Sequence, residues 1–403
     1  MIAVGSDFSG VGAFNQALKR LGIDYREKFA CDMDKYARET FIHNYGEPEY
    51  YPKNVYEREI PKKSLDIYMT SPPCQSFSLA GKRLGKDDKR GVLFFNSHEF
   101  IQVNKPRFFI FENVKGLLSD DSGKTFSEWT QMLGGKSING TVNFFPMEDA
   151  VPYHIYHQVL NAKDYNIPQN RERVFIIGIR DDQDNDFSFP AKETLTKRLK
   201  DVLEEEVDEK YFLSEDNIDK LIQYDKRQRE NGNGFRAKFH SEDEVMSALK
   251  VGGAGCDDLI KVGTLRTHKD GEGFREIKDG NCPTIPARAR EDGSGQPVIK
   301  IGSKDVVIQL NDSKESGGKQ PYQQNRMYDV EGLNPALNAG QSGWGGNIIN
   351  TQIIRRLTPR ECFRLMDFPE TFTWPVSDSQ AYKQAGNSIC VGVLAKIISK
   401  LKL

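Results

Sequence analysis

Short apolar runs alternate with stretches of helical periodicity through the first half of the chain. Strands are predicted over 2–7, 27–32, 65–70, 107–111, 154–160 and 173–179, with helices over 12–21, 34–44 and 91–103 between them. The run Arg107-Phe108-Phe109-Ile110-Phe111 reads as the most deeply buried of these strands. Such alternation predicts a parallel sheet with helices on both faces. Residues 134–153 break the rhythm with glycines and an Asn139-Gly140 turn, and read as a surface insertion with a hairpin.

The pattern changes near residue 190. Residues 193–219 are charged and read as helix. Beyond them the alternation stops and glycine rises, as in Asn231-Gly232-Asn233-Gly234, Gly252-Gly253-Ala254-Gly255 and Gly343-Trp344-Gly345-Gly346. This predicts a second domain of loops and short strands. A weak internal repeat runs through it: Arg275, Asp279, Gly280, Pro283, Ile285 and Ala287 recur in order as Arg326, Asp329, Gly332, Pro335, Leu337 and Ala339. It reads as a duplicated structural unit rather than chance likeness between two hairpins. The tail is helical again. Thr358-Pro359-Arg360-Glu361 has the capping-box pattern, and the apolar spacing over 381–403 predicts helix packed back on the first domain.

Composition adds boundaries. The 403 residues suffice for two domains, and 37% hydrophobic with 28% charged is the balance of a globular protein. Mean hydropathy is −0.60. No apolar run approaches the roughly 20 residues of a membrane span, and Met1 leads straight into a strand without a signal-peptide core. The six cysteines form no Cys-x-x-Cys pair, so neither a zinc site nor a disulfide framework is indicated, and a reducing cytoplasm is expected. A net charge of −2 places any nucleic-acid footprint in a local patch.

Five segments carry candidate chemistry. Asp7 to Phe14, with Gly10 and Gly12, lies between the first strand and first helix, where glycines let a ligand approach the backbone. Asp32 ends the second strand, the place of an acid that binds a nucleotide ribose; the bland alternative is a loop acid or helix N-cap. Ser71-Pro72-Pro73-Cys74-Gln75-Ser76-Phe77 holds a thiol rigidly at a strand-to-loop edge. The alternative is an inert buried thiol. The basic stretch 81–91 after it would favour thiolate or close over a site, or else is a solvated loop. Glu112-Asn113-Val114 ends the buried strand, where a carboxyl tends toward a raised pKa suited to proton donation. Arg171 and Arg173, two apart on an extended segment, point the same way and either bind an anion or carbonyl or brace Glu112. The alternative for Glu112 is a helix N-cap or a structural ion pair, and for the two arginines a surface ion-pair cluster.

In this order the segments resemble the cytosine-C5 DNA methyltransferases. The resemblance spans the catalytic domain and the tail, where Arg356 to Glu361, Phe368-Pro369 and Ala381 to Ser388 match further motifs. It implies an α/β fold: a Rossmann-like methyltransferase domain with a mostly parallel sheet over 1–200 with 380–403, and a smaller loop- and strand-rich target recognition domain over 201–379. It implies S-adenosyl-L-methionine as methyl donor, with S-adenosyl-L-homocysteine as product. Cys74 adds to C6 of a flipped-out cytosine, Glu112 protonates or hydrogen-bonds N3, Arg173 contacts the base carbonyl and Arg171 supports the site. The cofactor residues carried over are Phe8, Ser9, Gly10, Gly12, Asp32, Met33, Asn54, Pro73, Leu93, Asn387 and Ser388.

For duplex DNA the candidates are Gln75, Ser78, Lys82, Arg83, Arg90, Lys319, Gln320, Arg326 and Trp344, the last four in or beside the polar loops 311–325 and 339–347. Arg266, Lys269, Arg275, Arg288 and Arg290 are further candidates for phosphate or base contacts. Three positions depart from the family pattern: Ala13 replaces a glycine, Asn54 replaces an aspartate that meets the adenine amino group, and Ala336 replaces a threonine. A cytoplasmic monomer of a bacterial or phage-infected cell is expected, with no membrane partner. Any restriction endonuclease would be a genetic rather than a physical companion. The competing readings are an RNA cytosine methyltransferase and a non-catalytic DNA-binding protein on the same scaffold.

Overall fold

A computed structural model describes residues 1–73, 93–212, 238–240, 244–249, 258–262, 327–328, 348–349 and 353–403. Cys74, Gln75, Ser78, Lys82, Arg83, Arg90, Lys319, Gln320, Arg326 and Trp344 lie outside the described residues, as do the loops 311–325 and 339–347 and nearly all of the internal repeat.

By its contacts the chain divides into two units, the first comprising 1–207, 243–258 and 357–403. Residues 357–379, expected with the second domain, pack within this first unit. Its strands and helices run in order β1 (Ile2–Asp7), α1 (Ala13–Arg20), β2 (Tyr25–Cys31), α2 (Lys35–Tyr45), β3 (Ile67–Thr70), α3 (Leu93–Asn104), β4 (Phe108–Val114), α4 (Lys124–Leu133), β5 (Ser137–Ile138), β6 (Thr141–Val142), β7 (Tyr153–Asn161), β8 (Gln169–Asn170) and β9 (Glu172–Arg180). The tail contributes α5 (Pro359–Leu365), α6 (Asp378–Asn387) and α7 (Val391–Ile398).

One eight-stranded sheet carries this unit, in the order β2-β1-β3-β4-β9-β7-β5-β6. Strands β2, β1, β3 and β4 are parallel. β9 departs from the expected direction and lies antiparallel between β4 and β7. The link 162–171 before it is shorter than the dozen or so residues a parallel crossover needs, so the chain turns back on itself. The expected hairpin at Asn139-Gly140 is present: β5 and β6 pair antiparallel across it and extend the sheet edge.

Both sheet faces are buried, which is why the strands read as continuous apolar runs. Alternate positions Phe29, Tyr68, Phe109, Phe111, Val174 and Ile176 build one core together with Phe94, Phe100 and Trp129 from the helices. Tyr68 stacks on Phe100 and Phe94 on Trp129, each with centroids 4.0 Å apart. Gly178 sits opposite Phe109 in the β4–β9 register, and a Cβ there would lie 1.9 Å from the Phe109 ring. On the tail, α7 packs against α1.

Helix starts follow their caps. Asp34 accepts from the backbone N–H of Tyr36 and Ala37 and opens α2. Thr358 and Glu361 form the reciprocal capping box that opens α5. The helix expected over 193–219 is not formed in the described part, which holds only 3-10 turns at Leu199–Val202 and Glu209–Tyr211. Its backbone N–H groups are taken by distant acceptors instead: Glu193 by Asp164 O, Thr196 and Lys197 by Asn166 Oδ1, Leu199 by Glu244 O, and Glu204 by Glu361 Oε1. The segment is a strap, and its polarity reflects exposure rather than helical periodicity.

The second unit comprises 208–242 and 259–356. Its described part holds the 3-10 turn Glu209–Tyr211 and short strands. Ile353–Arg356 pairs antiparallel with the strand Asp258–Val262, Lys238–His240 joins the latter's other side, and Met327–Tyr328 pairs with Ile348–Ile349.

Candidate active site

Three parallel strands of the first unit end side by side. The register sets Asp7 against Thr70 and Thr70 against Phe111. The carboxyl ends of β1, β3 and β4 therefore form one edge, where open α/β sheets bind their ligands. From it leave the loop 8–12, the run Ser71-Pro72-Pro73 and the end of β4 at Glu112-Asn113-Val114. β9 enters at the same edge because it runs the other way, and Val114 pairs with Arg173. Side chains two apart on a strand share a face, so Arg173 and Glu112 are diagonal neighbours. Arg173 Nε lies 3.0 Å from Glu112 Oε1.

Glu112 is buried. Burial pushes its carboxyl up, and the charges of Arg173 and Arg171 draw it only part of the way back. A carboxyl in this setting keeps a proton more readily than one in water and can offer it to a ring nitrogen. Asn113 Nδ2 donates to Pro72 O at 3.4 Å, tying the β4 end to the proline run. Pro73, the last described residue before Cys74, is exposed.

Arg171 and Arg173 do not share a target. Arg171 falls between β8 and β9, and its buried guanidinium donates to the carbonyl oxygens of Leu249 (3.2 Å), Gly386 (3.0 Å) and Ser388 (2.7 Å). Burial, and then the charge of Arg173, pull it down to about 9, so it stays cationic at neutral pH. It ties the end of α6 to β8 and to the short strand Met246–Ser247 that pairs with β8.

On the other side of the edge, the loop after β1 turns through positive φ at Phe8 (56°), Gly10 (53°) and Gly12 (81°). Gly12 is needed: a Cβ there would lie 2.3 Å from the Tyr45 ring. Gly10 has open space above it. Its N–H donates to Asp32 Oδ2 at 2.8 Å, and the N–H of Asp34 donates to Asp32 Oδ1 at 2.8 Å. Burial pushes the Asp32 carboxyl up against these two bonds. Ser9 Oγ lies 3.2 Å from Tyr51 Oη. Met33 stands exposed beside Asp32, and Leu93 is buried at the start of α3.

The tail packs on α2: Lys383 Nζ meets Asp34 Oδ2 at 2.5 Å, and Thr40 donates to Gln384 Oε1 at 3.1 Å. Asn387 is exposed at the end of α6, and Ser388 Oγ is buried without a partner. An open space over Gly10, a carboxylate held by backbone N–H groups and an orphaned buried hydroxyl fit a polar nucleoside ligand. Asn54 is engaged in its own turn, accepting from Tyr56 N and donating to Glu57 Oε1, rather than turned toward a base.

The sequence reading missed one cluster. Asp7, Arg58 and Tyr68 form a buried network under the loop: Arg58 Nη2 donates to Asp7 Oδ2 at 2.8 Å, and Tyr68 Oη donates to the same oxygen at 2.6 Å. The available signal was a charge ending an apolar strand, which demands a buried partner.

A fold and edge of this kind define an α/β protein that binds its ligands at the carboxyl ends of its strands, and likeness to known proteins identifies its family. The family described as C-5 cytosine-specific DNA methylase matches residues 2–403. The chain belongs to it and is a DNA cytosine-5-methyltransferase. Among similar proteins is the orphan methyltransferase M.SPRI of Bacillus phage SPR, 32% identical over 99% of this chain and 97% of that protein. Another is the type II methyltransferase M.HpaII of Haemophilus parainfluenzae, 31% identical over 98% of this chain and 88% of that protein. Of solved structures, the Entamoeba histolytica methyltransferase EhMeth superposes with a TM-score of 0.59 at 16% identity, covering 99% of this chain and 97% of that one. The S. pombe Dnmt2 methyltransferase gives 0.57 at 15%, with the same coverage. These two likenesses bear on the fold alone, which is the Rossmann-like methyltransferase fold with a mostly parallel sheet. The competing RNA and non-catalytic readings are not favoured. Among the described residues no helix is long and apolar enough to cross a membrane.

Proposed function

We propose that this chain methylates C5 of a cytosine flipped out of duplex DNA, through a transient bond from Cys74 to C6. The observation that carries the reading is the Glu112–Arg173 pair, set at the strand edge that also holds the Asp32–Gly10 loop and the run leading to Cys74. C5 of cytosine is a weak nucleophile. Attack of the Cys74 thiolate on C6, with Glu112 offering its proton to N3, makes the C4–C5 bond electron-rich. S-adenosyl-L-methionine, when bound, supplies the methyl group and leaves as S-adenosyl-L-homocysteine. Loss of the C5 proton to a base and re-formation of the C5–C6 double bond then expel Cys74 as thiolate, and N3 returns its proton to Glu112. Arg173 holds Glu112 and is placed for the base carbonyl, and Arg171 fixes the tail behind both.

The cofactor is assigned to Phe8, Ser9, Gly10, Gly12, Asp32, Met33, Leu93, Pro73, Asn387 and Ser388. Asn54 reaches it only by leaving its turn. Target recognition, expected over 201–379, is assigned to the second unit, 208–242 with 259–356, with Gln75, Ser78, Lys82, Arg83, Arg90, Lys319, Gln320, Arg326 and Trp344 as DNA contacts. The reading includes a monomer acting in the cytoplasm, any restriction endonuclease being a genetic companion.

The test is incubation with duplex DNA carrying 5-fluorocytosine and S-adenosyl-L-methionine. Fluorine takes the place of the C5 proton and cannot leave as a cation, so elimination stops and a denaturant-stable protein–DNA adduct accumulates. Cys74→Ser forms none and transfers no labelled methyl. Full transfer by Cys74→Ser refutes the reading.

A further inference from the structure

We propose that Asp7, Arg58 and Tyr68 form a buried clamp that sets the distance between the cofactor loop and the nucleophile strand. The inference rests on the function proposed above. The three residues are positioning residues, since none of them touches a reacting atom in that reading.

The side chains of Arg58 and Asp7 are 1% and 0% exposed. Arg58 Nε lies 3.0 Å from both carboxylate oxygens, Nη2 is 2.8 Å from Oδ2, and Tyr68 Oη donates to Oδ2 at 2.6 Å. Arg58 Nη2 also donates to the carbonyl of Asn96 at 2.7 Å. One guanidinium thus joins the end of β1 to α3, and one hydroxyl joins β1 to β3.

Each member borders a functional segment. Asp7 precedes Phe8, a non-glycine residue held at φ 56° where the loop begins. Such a conformation persists only where its surroundings over-determine it. Tyr68 stands shortly before the Pro72-Pro73-Cys74 run. α3 follows directly on the segment 74–92, and its Ser97 Oγ lies 2.7 Å from Thr70 Oγ1 at the end of β3. Ser71 Oγ reaches back to Phe8 O at 3.5 Å. The two loops that must bring methyl donor and nucleophile to one base are therefore tied through a single carboxylate.

Stability alone is a poor explanation for the clamp. Desolvating a charged pair offsets most of its attraction, and well-packed apolar residues of similar size serve as well or better. What an apolar trio cannot supply is direction, because only hydrogen bonds fix the carboxylate against three elements at set angles.

The experiment compares wild type with the triple variant Asp7→Leu/Arg58→Met/Tyr68→Phe and with Tyr68→Phe alone. Three quantities are read: thermal midpoint, affinity for S-adenosyl-L-homocysteine by calorimetry, and rate of adduct formation on 5-fluorocytosine DNA at saturating cofactor. A misplacement of about 1 Å at a reacting centre costs on the order of 100-fold in rate. The triple variant is expected to melt at or above the wild-type temperature, to bind S-adenosyl-L-homocysteine more weakly and to form adduct on the order of 100-fold more slowly. A folded triple variant with wild-type affinity and adduct rate overturns the proposal. If the triple variant does not fold, Tyr68→Phe decides, because it removes one donor and leaves the ion pair intact. A slower adduct rate at an unchanged melting temperature supports the clamp, and an unchanged rate overturns it. Failure of the wild type to form adduct would instead count against the proposed function.

Discussion

Replacement of Glu27 by glutamine should stabilise the protein, and increasingly so as pH rises. Glu27 lies on β2 facing α1, where Asn15 Nδ2 donates to its Oε2. Burial pushes its carboxyl from an ordinary 4.5 up to about 8, and the Asn15 hydrogen bond only partly opposes this. Its Oε1 and the Asn15 Oδ1 are both buried without a partner, two acceptors that a proton on Glu27 would relieve. The folded pKa lies above the unfolded one, so between those pH values the folded state binds more protons. The stability from the neutral carboxyl is complete below about pH 4.5 and is lost as pH rises toward and through 8. The full interval bounds the loss at about 4–5 kcal/mol, and local relaxation and water entry reduce it to roughly 2 kcal/mol. Glutamine keeps the acceptor for Asn15 and never ionises. Thermal midpoints of both proteins at pH 5.5 and 8.5 provide the assay, other titrating groups being common to the pair. The gap should widen by a few degrees in favour of glutamine at the higher pH. A gap that does not change with pH, or widens at the lower one, refutes the assignment.

Glu112→Gln keeps the shape of the site but cannot offer a carboxyl proton, so kcat for methyl transfer should fall by about 10²–10⁴ with S-adenosyl-L-homocysteine affinity unchanged. Calorimetry alongside steady-state kinetics checks the split. Gly12→Ala forces a Cβ to 2.3 Å from the Tyr45 ring at φ 81° and should weaken both folding and cofactor binding, by about 1–3 kcal/mol in stability. Gly10→Ala meets only the left-handed backbone cost of about 1–2 kcal/mol, since the space above it is open. Chemical denaturation ranks the pair, and a larger loss at Gly10 contradicts the geometry. Thr358→Ala removes the acceptor for Glu361 N–H and should cost about 1 kcal/mol, read as a lower thermal midpoint.

Much of the architecture was legible because both sheet faces are buried and the helix caps are local. β1 falls on its expected span, α2 starts after Asp34, and the Thr358–Glu361 box opens α5. What failed depended on partners remote in sequence. Residues 193–212 have the polarity of an exposed helix, yet Asp164, Asn166, Glu244 and Glu361 compete for their backbone. Arg58, in the loop between α2 and β3, carries no local signal of a role, and only the fold sets it against Asp7 at the end of β1. The direction of β9 is set by the length of the link before it, which alternation of strand and helix does not encode.

That direction matters most for the chemistry. A parallel β9 would begin at the opposite edge of the sheet, and Arg173 would lie a strand's length from Glu112. Antiparallel pairing sets Arg173 against Val114, and the pleat then brings it diagonally to Glu112. A segment too short for a crossover is thus what assembles the acid and its arginine. The same edge collects buried charges that sequence rules would exclude from a core, namely Asp7, Glu112 and Arg171. Local rules break where a fold positions chemistry. Each of these charges is held by a partner from another element, so the edge keeps its geometry only while the strands keep their register.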